Sequence, residues 1–310
     1  MTKTTAKAGS SMRGYWWKVL LGGVVLWILT IYVTVQTSNT NLVPTIILLG
    51  SFLVPFVVVL YVGARQEATL SPVRLFSAFF IGGIFGVLGA SLLEAEIGSS
   101  LVLFVLVGFI EEFIKLCVLF VAARGIANRT AGLGASLGAV VGAGFAAFES
   151  AGYAFNAALG QNSINLSGLV GTEVLRAGLS PVGHVLWTAI LGATLFSMRR
   201  SRRPVLRLVL TFIGVALLHS MWDLLGPLSS FLALLFTGTF HFEVTNGYLP
   251  PAVAPEVMSI SQILYYGGML ILSLIGINWL RVVLRHWRRS EAGLAGQSAD
   301  QSVSGPGLPE

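Results

Sequence analysis

Eight stretches of about twenty apolar residues run through this chain of 310 residues. A helix of that length spans the roughly 30 Å hydrocarbon core of a bilayer, at about 1.5 Å per residue. Only 10% of the residues are charged, against about 25% in a soluble domain. The sequence therefore predicts an all-α, polytopic membrane helix bundle of about eight transmembrane helices. The stretches are residues 17–35, 43–63, 76–93, 101–123, 132–155, 182–198, 205–225 and 260–280.

The positive charges predict how this bundle is oriented. If the N-terminus is cytoplasmic, every Lys and Arg lies in a cytoplasmic segment except Lys115, within a helix, and Arg176, outside. Short cytoplasmic loops of membrane proteins carry such an excess of Lys and Arg. We therefore expect both termini inside and a multi-pass protein of the cell membrane. The basic loops are expected to contact anionic lipids, and no nucleic-acid partner is expected.

The remaining segments suggest a single domain. Residues 1–289 are interpreted as one integral-membrane helical domain, and the Ser-, Gly-, Gln- and Ala-rich tail 290–310 as a disordered cytoplasmic segment. The apolar patch 231–236 is too short to cross, so we assign it to an outer loop or a re-entrant piece. Small residues recur every four positions in the fifth stretch, which predicts a central helix that neighbours approach closely. They are Gly134, Gly138, Gly142, Ala146 and Ser150.

Glu111, Glu112 and Lys115 lie in the middle of the fourth stretch. Each such residue at the bilayer centre costs roughly 2.5–3.5 kcal/mol on insertion scales, and the cost is tolerated where the residue serves a function. The i,i+3 and i,i+4 spacings let the ammonium reach either carboxylate. An internally neutralised polar anchor is one interpretation. However, two carboxylates share one ammonium, which leaves one of them available as a general base.

Further acids and histidines fall at the same depth on other helices. At about 1.5 Å per residue, Glu149, His184, His219 and Asp223 all lie in the outer half of the bilayer, as does Glu111. His219 and Asp223 are i,i+4, so the carboxylate can orient the imidazole. Hydrogen bonds at helix ends are the alternative interpretation of these residues. Residues far apart in sequence are therefore expected to meet in one layer.

Two further residues bear on the charge balance of this layer. Arg176, the one basic residue expected outside, could neutralise Glu173 or hold a substrate carbonyl, and the sequence does not choose between these.

This set of residues favours water activation over a covalent intermediate. Cys117 is the only cysteine, and no Gly-x-Ser-x-Gly-like serine is present. A carboxylate could take a proton from water while histidines hold a metal or stabilise an oxyanion. His184 and His219, with an acid from Glu149 or Asp223, would form a plausible site for a divalent metal such as zinc.

Three motifs in order carry a resemblance to a known family. Glu111-Glu112-x-x-Lys115, Phe145-x-x-x-Glu149 and His219-x-x-x-Asp223 resemble the motifs of the PrsW intramembrane proteases. That family is distantly similar to the CAAX prenyl endopeptidases. The resemblance covers about 76–225. Because Glu149 stands where the prenyl endopeptidases have His, a prenyl-protein substrate is not expected.

The resemblance implies an intramembrane endopeptidase that cuts membrane-anchored proteins near the outer face. The best-known role is the first cut of an anti-sigma factor. Family members are described both as glutamate-type and as metal-dependent enzymes. The implied catalytic residues are Glu111, Glu112, Glu149 and His219, and the implied supporting residues are Lys115, Asp223 and Phe145. The metal ligands, if an ion is bound, would be His184, His219 and Asp223.

Two other functions fit the same residues. Buried acids and histidines also serve proton- or ion-coupled transporters, although no inverted repeat of the kind common in transporters is evident. A catalytically inactive membrane scaffold is the third interpretation, and the presence of every motif residue counts against it.

Overall fold

The computed structural model describes residues 14–66, 69–95, 97, 101–160, 163–198, 201–241, 243 and 247–303, with side chains described as far as 287. The α-helices are α1 (Tyr15–Thr37), α2 (Val43–Gln66), α3 (Pro72–Glu94), α4 (Leu101–Ala122), α5 (Ala131–Ala158), α6 (Leu166–Leu179), α7 (His184–Phe196), α8 (Pro204–Phe236) and α9 (Ala254–Val303). Within the described residues there is no β-strand, only an isolated bridge between Leu159 and Ile164.

The helices confirm the predicted membrane bundle. Seven segments are long and apolar enough to cross a membrane while carrying at most two charges over the most apolar part. The eighth is α4, which has a comparable length of 22 residues but contains Glu111, Glu112 and Lys115. The chain is therefore an all-α, multi-pass membrane protein, and its eight crossings follow the order expected from the sequence.

The sixth crossing differs from the prediction at its start. It consists of α6, a 3-10 turn at Ser180–Val182 and then α7, and the whole of Leu166–Phe196 counts as one candidate span. The prediction that this span begins at residue 182, with Arg176 outside it, was wrong. Leu166–Leu179 reads as a polar loop because it carries Glu173 and Arg176, yet both side chains find polar partners inside the bundle.

The seventh crossing is also longer than predicted. Residues 231–236, expected in an outer loop or a re-entrant piece, belong to the continuous helix α8, so that prediction was wrong. Pro227 lies inside α8 without ending it, which membrane helices tolerate when side chains satisfy freed backbone groups. Pro227 has no N–H for the carbonyl of Asp223, one turn earlier, and the Ser229 hydroxyl makes a separate 2.9 Å hydrogen bond to the Gly226 carbonyl.

The last helix, α9, extends beyond residue 289, where the membrane domain was expected to end. α9 continues to Val303, so residues 290–303, which were expected to be disordered, are helical. Extending an existing helix needs no new nucleus, and the Ala, Leu, Gln and Glu of this segment are good helix formers. Residues 304–310 of the predicted tail lie outside the described residues.

α5 is the central helix, as its stripe of small residues predicts. It packs chiefly against α7, α3 and α2. A Cβ atom added at Gly138 would collide with the carbonyl oxygen of Thr188, and one at Gly142 with that of His184. The glycines therefore let the backbones of α5 and α7 touch, where dispersion and Cα–H contacts hold helices together in lipid. This contact fixes the first turn of α7 beside the middle of α5.

Candidate active site

Helix α4 contributes a buried ion cluster. Lys115 Nζ lies 3.0 Å from Glu111 Oε2 and 2.9 Å from Glu112 Oε1. Glu112 and Lys115 are completely buried, and Glu111 is 5% exposed. The ammonium also lies 3.8 Å from the centre of the Phe145 ring, so an aromatic face on α5 stabilises the same charge. The helical spacing therefore brings the trio together as expected.

His184 connects this cluster to α5. It is the first residue of α7. Its Nδ1 atom lies 2.8 Å from Lys115 Nζ, and its Nε2 atom lies 2.8 Å from Glu149 Oε2. Because an ammonium can only donate, Nδ1 is the acceptor in the first contact, and we assign the proton to Nε2, which donates to Glu149. His184 is therefore held at both ring nitrogens.

His219 on α8 is held in a similar way. Its Nδ1 atom lies 3.1 Å from Glu112 Oε1, where it can only donate if the carboxylate is ionised. Its Nε2 atom lies 3.6 Å from Glu111 Oε2 and 3.6 Å from Asp223 Oδ2. The indole of Trp187 packs against the imidazole, with ring centres 4.5 Å apart. These contacts leave the ring little freedom to rotate.

Glu111 lies at the centre of this arrangement. Its Oε2 atom is 3.9 Å from Nδ1 of His184 and 3.6 Å from Nε2 of His219. Each imidazole uses its other nitrogen to contact a second carboxylate, Glu149 for His184 and Glu112 for His219. Metal-binding histidines are commonly oriented by an outer carboxylate in this way. Nδ1 of His184 and Nε2 of His219 thus both lie within 4 Å of the same Glu111 oxygen, and Nδ1 of His184 also contacts Lys115.

The residue types at the centre suit a divalent metal. Ligand atoms of Glu111, His184 and His219 all lie within 4.8 Å of one another, and all three residues are buried. Two histidines and one carboxylate are a known ligand set of catalytic zinc. Lys115 contacts both Glu111 and His184, so an ion placed between these two would have to displace the ammonium. The expected ligand set contained Asp223, whereas the geometry groups Glu111 with the histidines.

Arg176 is the residue that the sequence placed wrongly. From α6 it forms an ion pair with Glu149, and its Nε atom donates to Ser150 Oγ at 2.7 Å. It therefore joins the cluster. Glu173, which it was considered to neutralise, accepts instead a 2.7 Å hydrogen bond from Trp27 Nε1. The signal for this role was available, since Arg176 was the one basic residue at odds with the loop-charge pattern.

The predicted residues therefore meet in one place. Four helices supply them, α4, α5, α7 and α8, and α6 adds Arg176. A membrane-embedded cluster of acids and histidines, held by hydrogen bonds and shielded by a packed bundle, is the kind of site that intramembrane hydrolases use to activate water. Chemistry of this class needs groups that take up and return a proton, and carboxylates and imidazoles supply them.

The comparison with protein families agrees with this class. The model of the PrsW family intramembrane metalloproteases matches residues 44–246, which is more than half of the chain and includes every residue of the cluster. The chain belongs to this family and is an intramembrane peptide hydrolase, as the three motifs predicted. No curated protein and no solved structure gives a significant match to the chain.

Proposed function

We propose that this protein is an intramembrane endopeptidase that cleaves membrane-anchored proteins, with Glu111 as the general base. One observation carries the proposal. The Glu111 carboxylate lies within 4 Å of Lys115, His184 and His219, which come from three different helices. Glu111 is slightly exposed while Glu112 is completely buried, so water reaches Glu111 more readily. Glu112 then serves to hold Lys115 and His219.

The proposed reaction uses the chain's own groups in turn. Glu111 takes a proton from water, and the resulting hydroxide attacks the carbonyl carbon of the scissile peptide. His219, doubly protonated, donates through Nδ1 to Glu112 and through Nε2 to the developing oxyanion. As the C–N bond breaks, Glu111 returns its proton to the leaving amine. Lys115 and the doubly protonated His219 together balance the charge of the two carboxylates, and Glu149 fixes the orientation of His184.

A metal-assisted form of the same hydrolysis is also supported. Glu111, His184 and His219 would hold one divalent ion such as zinc. Such an ion, when bound, supplies an acidic water and a Lewis acid for the peptide carbonyl. Glu112 would then orient the imidazole of His219 from its outer nitrogen, and Glu149 that of His184. The family description as metalloproteases favours this form.

We propose that the cluster serves the outer half of the membrane, with both termini cytoplasmic. The support is the distribution of Lys and Arg, nearly all of which fall in segments on the cytoplasmic side of that topology. The substrate is then a membrane-anchored protein cut near its extracytoplasmic end, and the first cut of an anti-sigma factor is the example we favour.

Anionic lipids are proposed as partners on the cytoplasmic side. Arg202, Arg203 and Arg207 line a cavity of about 710 Å³ whose apolar wall includes Trp279 and Trp287. Guanidinium groups beside an apolar wall suit a phospholipid headgroup and the start of its chains.

The decisive experiment compares wild type with Glu111→Gln. New protein N-termini would be identified by mass spectrometry in membranes of cells that express either form. Candidate substrates would then be cut by the purified full-length protein in liposomes. We expect Glu111→Gln to lower the rate by about 10²–10⁴-fold, the usual contribution of a general base. Glu256→Gln, which changes an exposed carboxylate at the start of α9, is the control.

The same experiment separates the competing functions. Cleavage that is equal in wild type and Glu111→Gln would overturn the assignment of the base. Substrate-dependent proton uptake into the liposomes without any proteolysis would favour the transporter instead.

A further inference from the structure

A small cavity opens beside the catalytic cluster at the break between α6 and α7. Its volume is about 80 Å³, and both Arg176 and His184 line it. Since these two residues both contact Oε2 of Glu149, the cavity borders the cluster. A group bound there would therefore lie next to the carboxylates and imidazoles.

One buried polar atom in this cavity has no partner. Ser180 lines the cavity and is 6% exposed, and its hydroxyl has no hydrogen-bond partner among the described residues. A buried hydroxyl without a partner is costly, and native structures rarely keep one. The hydroxyl is thus available to a ligand that brings its own donor or acceptor, as a peptide backbone does.

The remaining walls are apolar and set the size of the space. Trp222 and Tyr265 line it from α8 and α9, and Trp222 is held edge-on by Trp187, with ring centres 5.4 Å apart. Because one water takes up about 30 Å³ of liquid, 80 Å³ has room for two to three groups of that size. A space of this size matches the side chain of Ala, Ser or Val.

We propose that this cavity is the subsite for the substrate residue next to the scissile bond, that it selects small side chains, and that Ser180 donates a hydrogen bond to the substrate backbone. The proposal rests on the endopeptidase function proposed above. Trp222 and Tyr265 are then the residues that determine specificity.

The first test does not require activity. In a Cys117→Ala background, Ser180→Cys places a thiol at this wall. Methyl methanethiosulfonate, which is small, should label it in detergent-solubilised full-length protein, whereas benzyl methanethiosulfonate should not. Adding Tyr265→Ala should open the cavity to the benzyl reagent. Tyr266→Ala, which changes the neighbouring exposed ring, should not.

A buried thiol outside the cavity provides the background rate. Ser220 is 2% exposed, and its hydroxyl donates to backbone carbonyls, so Ser220→Cys should react with neither reagent. Equal labelling of Ser180→Cys by both reagents, or no labelling by the methyl reagent, would overturn the proposed cavity.

The second test measures specificity. Single-span reporters carrying Ala, Val, Leu or Phe at one juxtamembrane position would be cut by wild type, Tyr265→Ala and Tyr266→Ala. We expect wild type to prefer Ala and Val over Phe by about tenfold or more, and Tyr265→Ala alone to lose that preference. Ser180→Ala should slow all cuts without changing the preference.

The two proposals fail in different ways. If wild type cuts in a Glu111-dependent manner with the same profile as Tyr265→Ala, the subsite proposal is wrong while the endopeptidase stands. If labelling is size-selective but no reporter is cut in a Glu111-dependent manner, the endopeptidase proposal fails, and the cavity is not a substrate subsite.

Discussion

Lys115 Nζ lies 2.8 Å from Nδ1 of His184, across the interface between α4 and α7. The same nitrogen contacts Glu111 and Glu112, so one ammonium links two carboxylates to an imidazole 69 residues away in sequence. Lys115 thereby has three acceptors for its three protons. Its removal would leave two carboxylates facing each other in a buried space.

Lys115→Met should destabilise the bundle strongly. The side chain keeps its apolar length but loses its charge, and breaking a buried ion pair costs about 3–5 kcal/mol. The measurement is thermal unfolding of the detergent-solubilised protein. Lys18→Met, at an exposed position near the start of α1, should leave the midpoint unchanged. Equal midpoints for the two variants would contradict a structural role for Lys115.

The metal-assisted form makes a separate prediction. The purified protein should carry about one divalent ion per chain, since the cluster offers one group of three ligands. His184→Ala and His219→Ala should each lose it, because two ligands hold an ion poorly. Elemental analysis measures the content directly, and His286→Ala, exposed on α9, is the control. A metal-free protein with full activity would contradict the metal-assisted form and support the mechanism that uses only glutamate and histidine.

The contact between α5 and α7 predicts which glycines cannot be replaced. Gly138→Ala would press a methyl group against the Thr188 carbonyl, whereas Gly132→Ala meets no atom within 4 Å. Overpacking usually costs about 1–3 kcal/mol, and backbone atoms yield less than side chains. We expect a lower unfolding midpoint and reduced cleavage for Gly138→Ala only. If both variants matched wild type, the backbone contact would not be as close as described.

A hydrogen bond far from the cluster should also contribute to stability. Trp27 on α1 donates to Glu173 on α6, and Oε1 of Glu173 has no partner among the described residues. Trp27→Phe would remove that donor from a buried carboxyl, at a cost of about 1–3 kcal/mol. Thermal unfolding measures the loss of stability, and Trp17→Phe, at an exposed position, is the control variant. No difference between these two variants would mean that α1 does not hold α6 through this bond.

The sequence predicted most of the bundle because length and hydropathy alone decide whether a segment can enter lipid. It also predicted the meeting of Glu111, Glu149, His184 and His219, because depth along a helix follows from residue number. It failed for α6, because a hydropathy scale assigns every polar residue the free-energy cost of facing lipid. Arg176 and Glu173 face partners instead, and such pairing depends on tertiary contacts.

The pairing within the cluster was beyond the sequence for a related reason. Spacing shows which groups share a helix face, but not which ring nitrogen of His184 meets Lys115 and which meets Glu149. Those contacts depend on how α5 and α7 approach each other, and that approach is set by backbone contacts at glycine. Similarly, the sequence did not predict that α8 continues through Pro227 to Phe236, because hydropathy does not register how neighbouring helices support a helix that contains proline.

The spread of the cluster over five helices has a consequence for biosynthesis. Glu111 lies on α4, while His219 and Asp223 arrive only with α8. At translation rates of about 5–20 residues per second, the ribosome needs on the order of ten seconds to add the missing groups. With the roles proposed above, we therefore expect that a nascent chain does not hydrolyse the other proteins at the site of insertion and that proteolysis begins only after α8 is in the bilayer.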